Sequence, residues 1–133
     1  MKWFIPFSLI CSVALSSVSK GLTLTDDLDR LIDVTEPPMT IVSLSPHLTE
    51  LLFDLGVGQK VVGTVSFSDY PPSARAITRV GDASALNFER IIQMQPDLVI
   101  AWLSGGSFQS VERLIGLGMK VYVNEISSPK DIA

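Results

Sequence analysis

The sequence predicts an α/β fold with a parallel sheet, on three observations. Four short apolar segments rich in β-branched residues alternate with three amphipathic helical patterns between residues 40 and 124. Each helical pattern ends at a glycine or a proline. The apolar segments show little alternation, as expected of strands that are covered on both faces. This order of elements is typical of βαβ units with right-handed crossovers.

The first predicted strand, residues 40–44, leads into a predicted helix over residues 45–56. Ser45 can cap this helix, and Pro46 suits its first position. A second strand is expected over residues 60–65, after the helix has ended at a glycine. The apolar stripe expected to face the core consists of Leu48, Leu51, Leu52 and Leu55.

The second half of the chain repeats this alternation. A short helix is predicted over residues 86–96 with Asn87 as its cap, and a strand follows over residues 97–102. A third helix over residues 107–118 and a fourth strand over residues 120–124 complete the pattern. The side chains expected to face the core in these two helices are Ile91, Ile92, Met94, Val111, Leu114 and Ile115.

The two ends of the chain differ from this pattern. Residues 1–19 have the layout of a secretory signal peptide, with a positive start, an apolar run and a cleavage site after Ser19. The run is shorter than the about 20 apolar residues of a spanning helix, so the mature chain is not expected to span a membrane. Residues 20–39 are interpreted as a polar leader with one helical turn or a first strand segment. Residues 127–133 have the chemistry of a helix start, which suggests the first part of a longer ancestral protein.

Composition excludes several classes of function. Cleavage of the signal would remove Cys11, the single cysteine, and with it any disulfide or thiolate metal site. The chain carries 14 acidic and 10 basic residues, a formal net charge of −4, which argues against nucleic acid as a partner. The sequence contains no G-x-S-x-G motif and no spacing that selects a nucleophile and its base, so an enzyme is not expected.

Aromatic residues are the main candidates for a binding site. Ligands of an open parallel sheet bind beyond the carboxyl ends of the strands. Phe67 follows the second predicted strand and Trp102 closes the third, so both are expected beside one cleft, with Tyr70 as a further candidate. Flat aromatic walls suit a large, flat, partly apolar ligand. The alternative is that Phe67 and Trp102 are core residues that cap the sheet.

Three further side chains have both a functional and a structural interpretation. His47 stands near a predicted helix N-terminus, where a positive charge is disfavoured, so its neutral ring is a candidate metal ligand. The alternative is a solvated or hydrogen-bonded histidine. Tyr70 is a candidate iron ligand through its oxygen, or it packs on the prolines that follow it. Glu89 falls in the first turn of a predicted helix, where a carboxylate offsets the helix dipole by about 0.3–1 kcal/mol.

Three segments of the sequence resemble a known family. They read IVSLSPHLTELLFDLGVGQKVVGTVSFSDYPP, LNFERIIQMQPDLVIAW and LGMKVYV. Together they resemble the periplasmic cobalamin-binding proteins of ABC importers, within the group of iron-siderophore, haem and cobalamin binding proteins. The resemblance implies a three-layer α/β lobe over residues 40–126 of a two-lobe protein, and an inter-lobe helix that starts at residues 127–133. It also implies that the mature protein is periplasmic.

The resemblance assigns a role to several residues. Phe67 and Trp102 match positions that contact the corrinoid, and Glu89 matches a glutamate that docks on the membrane permease. The implied ligand is cobalamin, which is transported and is not a catalytic cofactor. Phe67 stands where close relatives usually have tyrosine, and Ala83 stands where cobalamin binders can carry tryptophan. The alternatives are therefore a haem or ferric-siderophore binding protein and a truncated remnant that binds no ligand.

Overall fold

A five-stranded sheet with helices on both faces forms the body of the molecule, in a computed structural model that describes residues 21–125. The signal peptide and the helix start expected at residues 127–133 lie outside the described residues. The elements, in chain order, are β1 (Leu22–Thr25), β2 (Leu31–Val34), β3 (Ile41–Ser43), α1 (Pro46–Asp54), β4 (Val61–Thr64), β5 (Thr78–Arg79), α2 (Phe88–Met94), β6 (Leu98–Trp102), α3 (Phe108–Gly116) and β7 (Val121–Asn124).

The main sheet has the strand order β5-β4-β3-β6-β7, and every neighbouring pair is parallel. The chain lays β3, β4 and β5 outward in one direction, then returns to the other side of β3 for β6 and β7. The order therefore reverses between β3 and β6. Such a reversal opens a crevice beyond the carboxyl ends of the two strands, which is where ligands of open α/β sheets bind.

The predicted α/β class and its parallel sheet are confirmed, with three layers. One face of the sheet packs against α2 and α3 and forms the larger core. The other face packs against α1 through a smaller cluster of Ile41, Leu52 and Val61. The larger core consists of Val42, Val65, Val80, Ile91, Val99, Ala101, Val111, Leu114, Val121 and Val123.

Part of the predicted inward-facing set is exposed. In α1, Leu48 and Leu52 are buried, whereas Leu51 and Leu55 are 50% and 67% exposed. The nine-residue helix packs along one i, i+4 row, and the predicted stripe was wider than that row. Ile92 and Ile115 are exposed in the same way beside the buried Ile91 and Leu114.

The segment expected to be a polar leader contains a β-hairpin. Strands β1 and β2 pair antiparallel, so the strand alternative is confirmed and the helical turn is wrong. The apolar residues here have helical spacing, but no helix forms because the Asp26 side chain hydrogen-bonds the neighbouring backbone. Its carboxylate accepts hydrogen bonds from the backbone N–H groups of Leu28 and Arg30, at 3.0 Å each, and so closes a turn.

The turn of this hairpin covers the outer edge of β7. Asp26 is buried and accepts a hydrogen bond from the backbone N–H of Val123, while the Arg30 guanidinium binds both the Asp26 carboxylate and the Val121 carbonyl. Asp27 donates its backbone N–H to the carbonyl of Val123 at 3.0 Å. The edge strand therefore finds hydrogen-bond partners in the hairpin and does not present a bare backbone to solvent. Within residues 21–125, no helix combines the length and apolar character needed to cross a membrane.

Candidate functional site

An open depression of about 420 Å³ lies at the carboxyl edge of the sheet, beyond β3, β4 and β6. This is the crevice that the reversal of strand order predicts. Both Phe67 and Trp102 line it, as expected from the sequence. The other lining residues are Leu44, Ser45, Pro46, Val65, Ser66, Asp82, Ala83, Ser84 and Gly105.

Trp102 forms the half-buried wall of the depression. The residue ends β6, and its indole meets the His47 ring edge to face, with the ring centroids 4.6 Å apart. Gly105 packs directly on the other part of the indole. A Cβ added at Gly105 would lie 2.0 Å from the Trp102 Cε3 atom, so only glycine lets this loop cover the ring. The indole orientation is thus fixed by its contacts with His47 and Gly105.

His47 is held as a neutral ring behind Trp102. Its Nδ1 shares a 2.5 Å hydrogen bond with the Ser45 hydroxyl, and burial lowers its pKa from the ordinary value of 6.5 although nearby Glu50 acts in the opposite direction. The predicted cap is wrong in this respect, because the Ser45 hydroxyl binds this ring and not a backbone N–H of α1. The His47 Nε2 atom is buried and has no hydrogen-bond partner among the described residues.

Within residues 21–125, His47 does not belong to a cluster of metal-ligating side chains. Across residues 21–125, no group of three or more histidine, cysteine, aspartate or glutamate side chains is arranged to hold a metal ion. The neutral state of the ring agrees with its expected electrostatics, although burial and not the helix terminus is the main cause. Metal ligation by His47 therefore stays a prediction.

Phe67 forms the exposed wall of the depression. Its ring is 83% exposed and its φ angle is +70°, a left-handed conformation that is a genuine outlier for a bulky residue. The alternative that Phe67 is a core residue is wrong. Its two neighbours hold it in place: the Ser66 N–H donates to the Gly81 carbonyl at 2.9 Å, and Ser68 is fully buried. A strained backbone that presents an aromatic ring to solvent is typical of a binding site.

A buried chain of hydroxyl groups anchors the Phe67 loop to α1 and β3. The Thr49 hydroxyl lies 3.0 Å from that of Ser43 and 2.8 Å from that of Thr64, and the Thr64 hydroxyl donates to Ser68 at 2.8 Å. All four residues are buried. Satisfied polar networks of this kind fix one arrangement of the elements that they join. This network was not predicted from the sequence, although hydroxyl residues at the ends of two apolar strands were its signal.

Asp82 is a lining residue that was not predicted from the sequence. It follows Gly81, whose φ of +133° and close approach to the Ala85 carbonyl require glycine. One carboxylate oxygen of Asp82 accepts hydrogen bonds from the Ser84 hydroxyl at 2.6 Å and from the backbone N–H groups of Ser84 and Ala85. The bond from the Ser84 hydroxyl is the main reason why the pKa of Asp82 lies below its ordinary value of 3.8.

Tyr70 and Glu89 do not join the lining residues. Tyr70 is 62% exposed and precedes Pro71 through a cis peptide bond. Glu89 is exposed in the first turn of α2, where the Asn87 side chain accepts a hydrogen bond from the Arg90 N–H as the predicted cap. Because α2 follows a loop that lines the depression, Glu89 lies at the same edge of the sheet as the depression. Binding by Tyr70 and docking by Glu89 both remain predictions.

Glu125 connects the Trp102 loop to the hairpin. Its carboxylate accepts hydrogen bonds from the backbone N–H of Ser104, at 2.8 Å, and from the Ser104 hydroxyl. Its own backbone N–H donates to the Asp27 carboxylate at 2.6 Å. The loop that packs on the Trp102 indole is therefore tied to β7 and, through β7, to the hairpin.

The fold and the placement of the depression are those of an α/β lobe with a crevice at the carboxyl edge of its sheet. A model of the periplasmic binding protein family matches residues 41–128, and the chain belongs to this family. The expectation of a binding protein and not an enzyme is confirmed by this membership. The vitamin B12-binding protein of Vibrio vulnificus is 38% identical over 96 residues, which are 72% of this chain and 35% of that protein. The vitamin B12-binding protein of Photorhabdus laumondii is 35% identical over a stretch of the same length.

Solved structures give the same picture. The periplasmic vitamin B12 binding protein of Vibrio cholerae superposes with a TM-score of 0.63 at 39% identity, over 65% of this chain and 34% of that one. A periplasmic haem binding protein from Pseudomonas aeruginosa superposes with a TM-score of 0.62 at 27% identity, over 67% of this chain and 32% of that one. The chain thus spans about a third of the length of the relatives that it matches.

Proposed function

We propose that this chain forms one wall of a cobalamin-binding cleft in the solute-binding component of an ABC importer. In this proposal the protein is periplasmic after cleavage of its signal peptide, and it delivers its ligand to a membrane permease through Glu89. The relatives named for vitamin B12 binding support the choice of ligand. The mechanism is capture without chemistry, since the macrocycle only has to be held and released.

One observation carries the proposal. Phe67 and Trp102 lie on the same depression at the crevice of the sheet, one exposed and one half-buried. A corrin ring presents a broad apolar face that aromatic side chains can cover. The strained φ of Phe67 supports a binding role, because core packing does not explain why the ring points outward.

The affinity of this chain alone is expected to be low. Covering two aromatic side chains contributes about 3–6 kcal/mol, at about 1.5–3 kcal/mol each. Association costs about 4–15 kcal/mol in lost translational and rotational freedom. A single wall therefore leaves little net binding free energy, and we expect a Kd weaker than about 100 μM. A second wall from another lobe would add contacts to the same ligand, whereas the loss of translational and rotational freedom occurs only once per binding event.

Equilibrium dialysis of the full chain against cyanocobalamin tests the proposal. We expect weak saturable binding that Phe67→Ala reduces at least about threefold, the loss of roughly 0.7 kcal/mol or more from one ring. Phe108→Ala is the matched control, because Phe108 is an exposed aromatic that does not line the depression. Saturable binding that is equal for wild type and Phe67→Ala would rule out this wall as a cobalamin site. A sub-micromolar Kd would contradict the single-wall argument.

Haem is the second candidate ligand, on a different observation. The buried Nε2 of neutral His47 has no partner within residues 21–125, and it lies behind a wall of the depression. Haem iron takes such nitrogens as axial ligands. Haem titration of wild type and His47→Ala would distinguish the candidates, because a Soret shift that depends on His47 requires ligation. An identical spectrum for both proteins would exclude His47 as a ligand.

A further inference from the structure

We propose that this wall selects macrocycles whose side chains end in neutral hydrogen-bond donors, such as primary amides, over macrocycles that carry carboxylates, and that Asp82 is the residue that makes the selection. The inference rests on the proposed function and adds the chemical class of the ligand's periphery. The side chains involved are the polar ones around the rings of Phe67 and Trp102.

The charge of the lining residues is the first support. Among the described residues 21–125 that line the depression, Asp82 is the single ionisable side chain, and lysine, arginine and histidine are absent from that set. His47 stands behind Trp102 as a neutral ring, since burial lowers its pKa. A ligand that lies in the depression therefore meets one negative charge and no positive charge from residues 21–125. Carboxylates on the ligand would be repelled at close range.

The direction of the hydrogen bonds is the second support. The Ser66 hydroxyl donates to the Gly81 carbonyl at 3.3 Å, and the Ser84 hydroxyl donates to Asp82 at 2.6 Å. Their hydrogens are therefore occupied within the protein, and their lone pairs remain for a ligand. The indole N–H of Trp102 is buried and has no hydrogen-bond partner within residues 21–125. The two hydroxyl groups thus offer acceptors, which match the N–H groups of amides and do not match carboxylates.

Asp82 supplies both the negative charge and a free hydrogen-bond acceptor. One of its oxygens is occupied by Ser84 and Ala85, and within residues 21–125 the other oxygen makes no hydrogen bond. The side chain is exposed, so the free oxygen is available to an amide N–H of the ligand. Hydrogen bonds from Ser84 and Ala85 account for the lowered pKa of Asp82, and no positive side chain within residues 21–125 is among its causes.

A pair of corrinoids that differ only at the periphery tests the inference. Dicyanocobinamide carries amides, and dicyanocobyrinic acid carries carboxylates in their place. By equilibrium dialysis at low salt, we expect the wild-type chain to bind the amide corrinoid at least about tenfold more tightly. Several carboxylates of the acid form would meet a like charge, and each such pair weakens binding roughly threefold. In Asp82→Asn, which keeps the oxygen that Ser84 and Ala85 bind, this ratio should fall about threefold or more.

Asp54→Asn is the matched control. Asp54 is exposed at the end of α1, outside the depression, and its substitution removes the same formal charge. We expect it to leave the ratio of the two affinities unchanged. An Asp82→Asn ratio equal to that of wild type, or tighter binding of the carboxylate corrinoid by wild type, would overturn the inference.

Haem and its diamide, in which both propionates are converted to amides, separate this inference from the proposed function. If no corrinoid binds but the haem diamide binds more tightly than haem in an Asp82-dependent way, cobalamin is the wrong ligand and the selection by Asp82 stands. If corrinoids bind and Phe67→Ala weakens them while Asp82→Asn leaves the ratio unchanged, the proposed function stands and the selection is wrong. Binding of none of the four ligands would overturn both.

Discussion

Trp102 owes its orientation to a glycine. A Cβ at Gly105 would overlap the Trp102 ring at 2.0 Å, and the His47 ring also contacts the indole, with the ring centroids 4.6 Å apart. The wall that Trp102 forms therefore depends on the absence of a side chain three residues later. Sequence inspection finds the tryptophan easily, whereas the requirement for this glycine becomes evident only from the fold.

We expect Gly105→Ala to displace the indole and to destabilise the protein by about 1–3 kcal/mol, the usual cost of overpacking. Urea unfolding measures the stability, and tryptophan emission in a Trp3→Phe background reports on Trp102 alone, because the sequence has two tryptophans. Gly116→Ala is the control, since an added Cβ there meets nothing within 4 Å. That control should be neutral or slightly stabilising. Unchanged stability and emission in Gly105→Ala would contradict the packing argument.

His47 gives the protein a pH dependence of stability. Its pKa in the folded protein lies below the ordinary 6.5, mainly because burial disfavours the charged ring, so the unfolded chain binds the proton more readily. The free energy of unfolding should therefore be flat above about pH 6.5 and should decrease as the pH falls below that value. The slope cannot exceed about 1.4 kcal/mol per pH unit for one proton.

Urea unfolding between pH 5 and 7.5 measures this dependence against His47→Gln, which lacks the titrating ring. Carboxylates with lowered pKa values, such as Asp82 and Asp97, act near and below their ordinary value of 3.8 and do not interfere in this window. A His47→Gln variant that loses as much stability as wild type between pH 6.5 and 5 would exclude His47 as the cause.

At the scale of elements, the hairpin β1–β2 and the Trp102 loop are coupled through Glu125. Asp27 holds the backbone of Glu125, and the Glu125 carboxylate holds both the backbone and the hydroxyl of Ser104. The link joins residues about a hundred positions apart in the chain. A segment that composition describes as a polar leader is therefore part of the scaffold behind the candidate site.

We expect Glu125→Ala to release this loop and to shift Trp102 emission to longer wavelength as water reaches the indole, in the Trp3→Phe background. Asp27→Ala should shift the emission in the same direction by a smaller amount, since it acts one bond further away. Glu112→Ala, an exposed acid on α3 that does not contact the loop, is the control and should leave the emission unchanged. A Glu125→Ala spectrum identical to that of the control would show that the loop is fixed by packing alone.

For the molecule as a whole, the sequence predicted every helix of the sheet scaffold and four of its five strands. Apolar runs and glycine or proline stops are local signals, and these elements depend on them. The two-residue strand β5 has no such signal, because it forms only by pairing with β4. The side-chain contacts of the candidate site were harder to predict from the sequence. The partner of Ser45, the free oxygen of Asp82 and the role of Glu125 depend on contacts between loops, which a single sequence does not encode in any fixed spacing.

The carboxylates of Asp26 and Asp27 that cover β7 also have a consequence for how the chain assembles. Contacts between Asp26 and Val123 span 97 positions, so we expect them to form late in folding, because closing so long a loop has an entropic cost. Before they form, the edge of β7 would be open to pairing with a strand of another copy. We expect the nascent or partly unfolded protein to self-associate through this strand far more readily than the folded protein. The acidic residues of the hairpin would then protect the edge of β7 from aggregation once folding is complete.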